Sequence, residues 1–239
     1  MASLKPYHQS LPYSYAIGLY PCITLLEKRP ESVKRLLLSD KAQGDGVEKL
    51  RALCVSHGVR EEIAPKLLNR ISGKDNCFAA LVFDKWDSQL ESTKPHVVLH
   101  HPMDEGNLGT ILRTLLGFGI FDVAIIKPAV DPFDPKVVRA TMGAIFSMRY
   151  TCYDSFEEYN REYKEHSLYP FMLDGSKTIE EVSIQTPYTL VFGNESKGLP
   201  SSFATIGQPV RIEHSNMIDS LNLSVAVAIG SYIFTKGGR

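Results

Sequence analysis

The amino-acid sequence predicts an α/β protein whose C-terminal part is built on a mainly parallel sheet. Strand-like apolar runs alternate with segments that carry apolar residues at helical spacing, as where Val97–Leu99 is followed by Leu108, Ile111, Leu112, Leu115 and Leu116. Runs such as Cys77–Phe83 are apolar throughout, which suits strands covered on both faces. The polar stretch Asp87–Pro95 separates two apolar strand-like runs and reads as a linker, dividing the chain into domains over 1–90 and 95–239.

In the first domain, Val33–Leu38 reads as a strand with a basic start. Val47–His57 reads as a helix with Leu50, Leu53 and Cys54 on one face and Gly58 as its stop. Pro65–Ile71 reads as a short helix opened by proline, and Cys77–Phe83 as a buried strand. In the second domain, Val97–Leu99 and Asp122–Ile126 are strands flanking the Leu108–Leu116 helix. Asp134-Pro135 is an N-cap and first-turn pair for a helix carrying Val137, Val138 and Met142. Phe156–His166 reads as a helix capped near Asp154 or Ser155. Phe171–Leu173, Thr189–Phe192 and Val210–Ile212 read as strands. The final helix is expected from Ser220 to Thr235, and its nearly all-apolar start predicts burial on most sides.

At 239 residues, with 44% hydrophobic and 22% charged residues, the chain suits one large or two modest soluble domains. No run is long enough to span a membrane, and Met-Ala-Ser-Leu-Lys-Pro lacks the apolar core of a signal peptide, so a cytoplasmic protein is expected. Cys22, Cys54, Cys77 and Cys152 form no Cys-x-x-Cys pair, so buried free thiols are expected and no metal site. A net charge of −1 argues against strong non-specific nucleic-acid binding, although Lys28-Arg29, Lys34-Arg35 and the Arg70 and Lys74 region are local basic excesses. Gly117-Phe118-Gly119 lacks the third glycine of a dinucleotide fingerprint and ends a helix where that fingerprint opens one. No phosphate-loop signature occurs, and His100-His101 reads as a strand-end pair.

Three stretches place polar residues where strands give way to loops or helices, the positions at which open α/β sheets bind ligands. In Asn107-Leu108-Gly109-Thr110-Ile111-Leu112-Arg113, Asn107 is placed to cap a helix and Arg113 lies off the apolar stripe. In Phe192-Gly193-Asn194-Glu195-Ser196-Lys197-Gly198, glycines after a hydrophobic strand allow close backbone approach to a ligand. In Ser220-Leu221-Asn222-Leu223-Ser224, Ser220 is a natural N-cap and Asn222 can bond a neighbouring backbone or a substrate. Taken singly, each admits a purely structural explanation as cap or glycine turn.

In this order, the three stretches resemble the signature of the SpoU–TrmH class of RNA ribose methyltransferases, over about Pro95–Phe234. The resemblance implies a deep trefoil knot, which periodicity alone would never propose because knots are nearly absent from proteins. It implies a homodimer, S-adenosyl-L-methionine as cofactor, and a ribose 2′-hydroxyl of RNA as acceptor. The α/β pattern of the first domain resembles the ribosomal-protein-like substrate-binding domain found on rRNA-modifying members, which favours rRNA over tRNA. Matched residue by residue, Asn107, Arg113, Glu195, Ser220 and Asn222 take catalytic positions. Leu173, Gly193, Glu195, Gly198, Ile212 and Leu221 take cofactor-binding ones. A guanidinium is essentially always protonated, so Arg113 is assigned to a substrate phosphate and the developing alkoxide, with Glu195 orienting Arg113 or Asn107. The family usually carries Ile-Pro-Met where this chain has Ile212-Glu213-His214, which leaves that strand end less constrained. Two other functions are compatible with the same fold: a non-catalytic RNA-binding relative and a small-molecule methyltransferase.

Overall fold

In the computed structural model, which describes residues 4–73 and 77–237, the backbone crosses three times between two units. The first unit comprises Met1–Trp86 and Asp131–Ser147, and the second Asp87–Val130 and Met148–Arg239. This corrects the expected partition into 1–90 and 95–239, since residues 131–147 belong with the first unit.

The first unit runs β1 (Tyr13–Ile17), α1 (Leu19–Lys28), β2 (Val33–Leu38), α2 (Asp45–Ser56), β3 (Arg60–Ile63), α3 (Pro65–Ser72) and β4 (Ala79–Asp84). Its sheet has the order β1-β4-β2-β3, antiparallel except for the parallel β2–β3 pair. Tyr15, Ile17, Leu37, Leu68, Ala80 and Val82 form one core cluster. The elements β1, α1 and β3 have no counterpart in the pattern read from sequence.

The second unit begins with β5 (His96–His100), α4 (Glu105–Phe118) and β6 (Asp122–Ile126). The chain then enters the first unit to form α5 (Pro135–Ala140), with Asp134 Oδ1 accepting from Lys136 N at 2.8 Å as N-cap. Aromatic packing explains where this segment sits. Phe133 lies 4.8 Å from Trp86 and Phe146 lies 5.6 Å from Phe83, centroid to centroid, and the Ser14 hydroxyl donates to Phe133 O.

The chain returns as β7 (Arg149–Tyr153), α6 (Phe156–Glu162), β8 (Ser167–Pro170), β9 (Lys177–Thr178), β10 (Tyr188–Phe192), β11 (Val210–Arg211) and α7 (Leu223–Gly237). Five strands form a wholly parallel sheet of order β7-β6-β5-β10-β8. The expected strand at Phe171–Leu173 is displaced to β8, and Phe171 makes only an isolated parallel bridge to Val210. Helix α6 is capped by Ser155, whose Oγ accepts from Glu158 N, and it stops at Glu162 instead of His166. On α4, Leu108, Ile111, Leu112 and Leu115 are fully buried, so truncating Leu112 to alanine would cost about 2–5 kcal/mol. The helix ends at Phe118 with Gly119 in the left-handed region at φ 79°, as expected of the Gly117-Phe118-Gly119 stretch.

The linker expected over Asp87–Pro95 begins at the boundary between units but is tied into the second one. Leu90 is buried in its core, and Glu91 N donates to Asp122 Oδ1 at 2.9 Å. Asp122 also takes two charge-assisted hydrogen bonds from Arg149, at 2.7 and 2.6 Å.

One further expectation needs correcting: Cys22 and Cys54 are buried, but Cys77 is half-buried and Cys152 is exposed. Helix α7 is enclosed on most sides, as expected, and exposes one stripe that includes Val225 and Tyr232, at 45% and 46%. Among the described residues, no helix is long and apolar enough to cross a membrane.

Candidate functional site

The strands β5 and β10 are neighbours in the parallel sheet, so the segments leaving their C-terminal ends emerge side by side. The segment after β10 is a closed loop. Asn194 and Gly198 exchange backbone hydrogen bonds of 3.2 and 2.9 Å, with Gly198 at φ 64°. Asn194 Oδ1 accepts from Ser196 N, Ser196 Oγ and Lys197 N, building the turn from within. Gly193 is required by close approach, because a Cβ there would lie 2.1 Å from the carbonyl carbon of Gly198. Asn194 Nδ2 donates to His101 O at 2.8 Å, fastening this loop to the segment after β5.

Glu195 makes a second tie to that segment. Its carboxylate accepts from Met103 N at 3.3 and 3.2 Å, from Asp104 N at 3.3 Å and from Asn194 Nδ2 at 3.2 Å. A carboxylate at the start of a helix satisfies free amides and complements the helix dipole. Glu195 therefore anchors the entrance to α4 and makes no hydrogen bond to Arg113 or Asn107, contrary to the role expected of it.

The structure reassigns both expected helix caps. Asp104 caps α4, its Oδ1 accepting from Asn107 N at 2.6 Å, so Asn107 sits inside the first turn and its side chain takes no part in capping. Helix α7 starts at Leu223, not at Ser220. Asn222 is its cap, with Oδ1 accepting from Ser224 N at 2.8 Å and Ser224 Oγ at 2.7 Å. Asn222 Nδ2 then donates to Asn107 Oδ1 at 3.2 Å and joins the two helix starts. Asn107 Nδ2 has no hydrogen-bond partner among the described residues. Arg113 is exposed on α4, and among the described residues nothing accepts from its guanidinium.

A cavity of about 480 Å³ opens beside these groups, within the ~300–1,000 Å³ range of small-molecule pockets. Leu173, Gly193, Glu195, Gly198, Ile212 and Leu221 all line it, as does Ser220, whereas Asn107, Arg113 and Asn222 lie outside its wall. Its apolar side is formed in part by Phe171 and Phe192, stacked with centroids 4.3 Å apart, against which Gly230 of α7 packs. His214 is in the wall, with Nδ1 3.0 Å from Ile212 O. Since a carbonyl only accepts, this contact assigns the proton to Nδ1.

Sequence reasoning did not find the roles of Asn194, Phe171 and Gly230. For Asn194 a signal existed, because Asn-x-Ser is a common Asx-turn pattern as well as a sugar-acceptor triplet. His101 stands in the left-handed region at φ 58°, and its ring lies 3.9 Å from that of His100. Burial, aided by His101, pushes His100 down to about 4.

The basic clusters of the first unit are largely engaged internally. Lys34 pairs with Asp84 at 2.6 Å and Arg35 with Glu62 at 2.8 Å. Arg29 stacks 4.4 Å from the Trp86 ring and donates to Phe146 O, and Arg70 donates to Leu4 O. Lys74 lies outside the described residues.

Comparison with known proteins agrees with this arrangement. A sequence profile of the SpoU rRNA Methylase family matches residues 94–232. An uncharacterised tRNA/rRNA methyltransferase of Synechocystis is 27% identical over 217 residues, which are 88% of this chain and 74% of that protein. The crystal structure of an AdoMet-bound rRNA methyltransferase from Sinorhizobium meliloti superposes with a TM-score of 0.80 at 26% identity, covering 94% of this chain and 87% of the other. A structure solved for the 2-OH methylation of C/U34 on tRNA matches with a TM-score of 0.57 at 25% identity, covering 62% of this chain and all of its own. With a profile that spans more than half of its length and the matched motifs gathered at one edge of the sheet, the chain belongs to the SpoU family of RNA methyltransferases.

Proposed function

We propose that this protein transfers a methyl group from S-adenosyl-L-methionine to a ribose 2′-hydroxyl of RNA, and that the RNA is ribosomal. The observation carrying this reading is the junction of Asn107 and Asn222 beside a cavity lined by Gly193, Glu195, Ile212 and Leu221. That cavity fits the cofactor. Stacked Phe171 and Phe192 and the apolar Leu173 and Leu221 offer contact for a purine, while the turning backbone at Gly193–Gly198 offers polar groups. When bound, the cofactor supplies a methyl group already activated on a sulfonium.

The remaining task is to hold a weakly acidic hydroxyl in line and stabilise it as its proton leaves, and alignment alone is worth up to about 7–11 kcal/mol. Asn107 Nδ2 is the open donor at the junction and would hold the incoming hydroxyl or its neighbouring phosphate. Arg113 would grip that phosphate through paired donors and stabilise negative charge as it develops. Guanidinium cannot take the proton, so a substrate phosphate oxygen or water receives it.

Ribosomal RNA is favoured over tRNA because the likeness to the Sinorhizobium rRNA methyltransferase extends over 94% of the chain, whereas the likeness to the tRNA-directed structure covers 62%. The first unit would then be the RNA-docking part. The chain is further proposed to thread its C-terminal segments into a deep trefoil knot, consistent with the Gly193–Gly198 loop and the Ile212–Leu221 stretch lining the same cavity. The exposed Val225 and Tyr232 on α7 support a homodimer through that helix.

The test is methyl transfer from labelled S-adenosyl-L-methionine to purified ribosomal RNA and tRNA, followed by mapping of ribose methylation. Transfer to a ribose in ribosomal RNA is expected. Cofactor binding without transfer to either RNA, or transfer to a base, would overturn the reading.

A further inference from the structure

At the opposite edge of the parallel sheet, where the strands begin, lies a closed chain of buried polar groups that the methyl-transfer site does not use. His96, at the start of β5, is fully buried, and its Nε2 lies 3.0 Å from Glu91 O while its Nδ1 lies 2.9 Å from the Tyr159 hydroxyl. The Tyr159 hydroxyl is 2.6 Å from Thr189 Oγ1. Thr189 Oγ1 is in turn 2.9 Å from His166 Nδ1, and His166 Nε2 is 2.8 Å from Ser92 O.

These are five consecutive links, and each needs one hydrogen. Both ends are carbonyl oxygens, which only accept. Two neutral imidazoles, one phenol and one threonine hydroxyl together bring four hydrogens. However the tautomers are arranged, one link is left with lone pair against lone pair inside the core, a costly arrangement for buried polar groups. A fifth proton closes the chain. If both imidazole nitrogens of one ring are protonated, every link has a donor and an acceptor.

We propose that His96 and His166 form a buried proton-binding site that at neutral pH holds one proton beyond those of two neutral imidazoles. His96 is wholly enclosed, and burial, opposed only in part by the Glu91 carbonyl, holds it down at about 4. His166 borders a second cavity whose wall includes Glu162 and Glu165, and the Tyr163 ring stands edge-on with its centroid 5.7 Å away. The other charged and titratable groups around the site are accounted for. Asp122 is paired with Arg149, and the Glu91 carboxylate lies 3.3 Å from Arg149 and 3.9 Å from Lys94. The Tyr153 hydroxyl donates to Glu162 Oε2, and the Tyr163 hydroxyl bonds Glu162 Oε1 and Leu90 O. None of these supplies the missing hydrogen.

Nitrogen-15 histidine-labelled full-length protein, observed through imidazole N–H correlations at pH 7.5, gives the test, with His166→Gln used for assignment. One of the two rings should show both nitrogens protonated and the other a neutral Nε2–H tautomer. Thr189→Val removes two links and one hydrogen, so three links are served by three hydrogens and both rings should become neutral. Tyr159→Phe gives the same count and serves if the valine variant does not fold. Two neutral rings in the wild type, or a doubly protonated ring that persists in either variant, would overturn the proposal.

Discussion

The side-chain amide of Asn222 donates to Asn107 Oδ1 across 3.2 Å, so one hydrogen bond holds together the first turns of α4 and α7. Asn222 also caps its own helix through Oδ1. The two jobs use different atoms and can be separated. Asn222→Asp keeps the cap, because aspartate caps about as well as asparagine, and stability should change by less than about 0.5 kcal/mol. It removes the donor to Asn107, and methyl transfer should fall by roughly 10- to 100-fold. Urea unfolding and turnover measured on one preparation check both outcomes.

Arg113 faces outward on α4 with no internal partner among the described residues, so its replacement should leave the fold intact. Arg113→Lys keeps the charge but loses the planar fork that grips a phosphate. Turnover should drop by about tenfold or more. Near-wild-type turnover with unchanged RNA binding would remove Arg113 from the proposed chemistry.

Gly193 has no room for a side chain, since a Cβ would sit 2.1 Å from the Gly198 carbonyl carbon. Gly193→Ala must open the loop that Asn194 closes. Calorimetry with S-adenosyl-L-methionine should show affinity weakened at least about tenfold, equivalent to roughly 1.4 kcal/mol. The parallel sheet should persist by circular dichroism.

Glu195→Gln keeps one acceptor for Met103 N and Asp104 N, turns the other oxygen into a donor facing Asn194 Nδ2, and removes the negative charge at the start of α4. The loss should be about 0.3–1 kcal/mol of stability at low ionic strength, shrinking as salt is added. A loss that ignores salt would mean that the hydrogen bonds matter and the charge does not.

Two histidines predict a weakness to acid. His100 is held at about 4 against an ordinary 6.5, first by burial and then by His101, and burial brings His96 to about 4 as well. Folding thus favours the neutral rings. Their stabilisation is complete above about 6.5 and is lost as pH falls through about 4. The urea midpoint should decline over that interval, and His100→Phe should make the decline shallower.

Much of the second unit was legible because its buried helices and strands carry strong periodic signals. Asp122–Ile126 matches β6 residue for residue, and the apolar stripe of α4 is the one expected. Errors arose where tertiary partners decide. Asp104 is a better cap than Asn107, yet only the bonding pattern reveals that the helix begins two residues before Asn107. Asn222 outcompetes Ser220 for the same reason. Strand β3, with the sequence Arg-Glu-Glu-Ile, looks like surface helix and is held extended by pairing with β2. The basic pairs Lys34-Arg35 and Arg70 could not be read as engaged, because their partners lie far along the chain.

The excursion of residues 131–147 makes synthesis order matter. A nascent chain that has emerged only to Trp86 lacks α5 and the ring of Phe133 that packs on Trp86, so the first unit cannot complete itself until Ser147 has been made. By then β5, α4 and β6 have already appeared. A fragment cut at residue 95 would carry α5 without the surface that buries Val137 and Val138, leaving sticky apolar side chains in water. Dissecting this enzyme therefore calls for replacing residues 131–147 with a short bridge, not for a simple truncation.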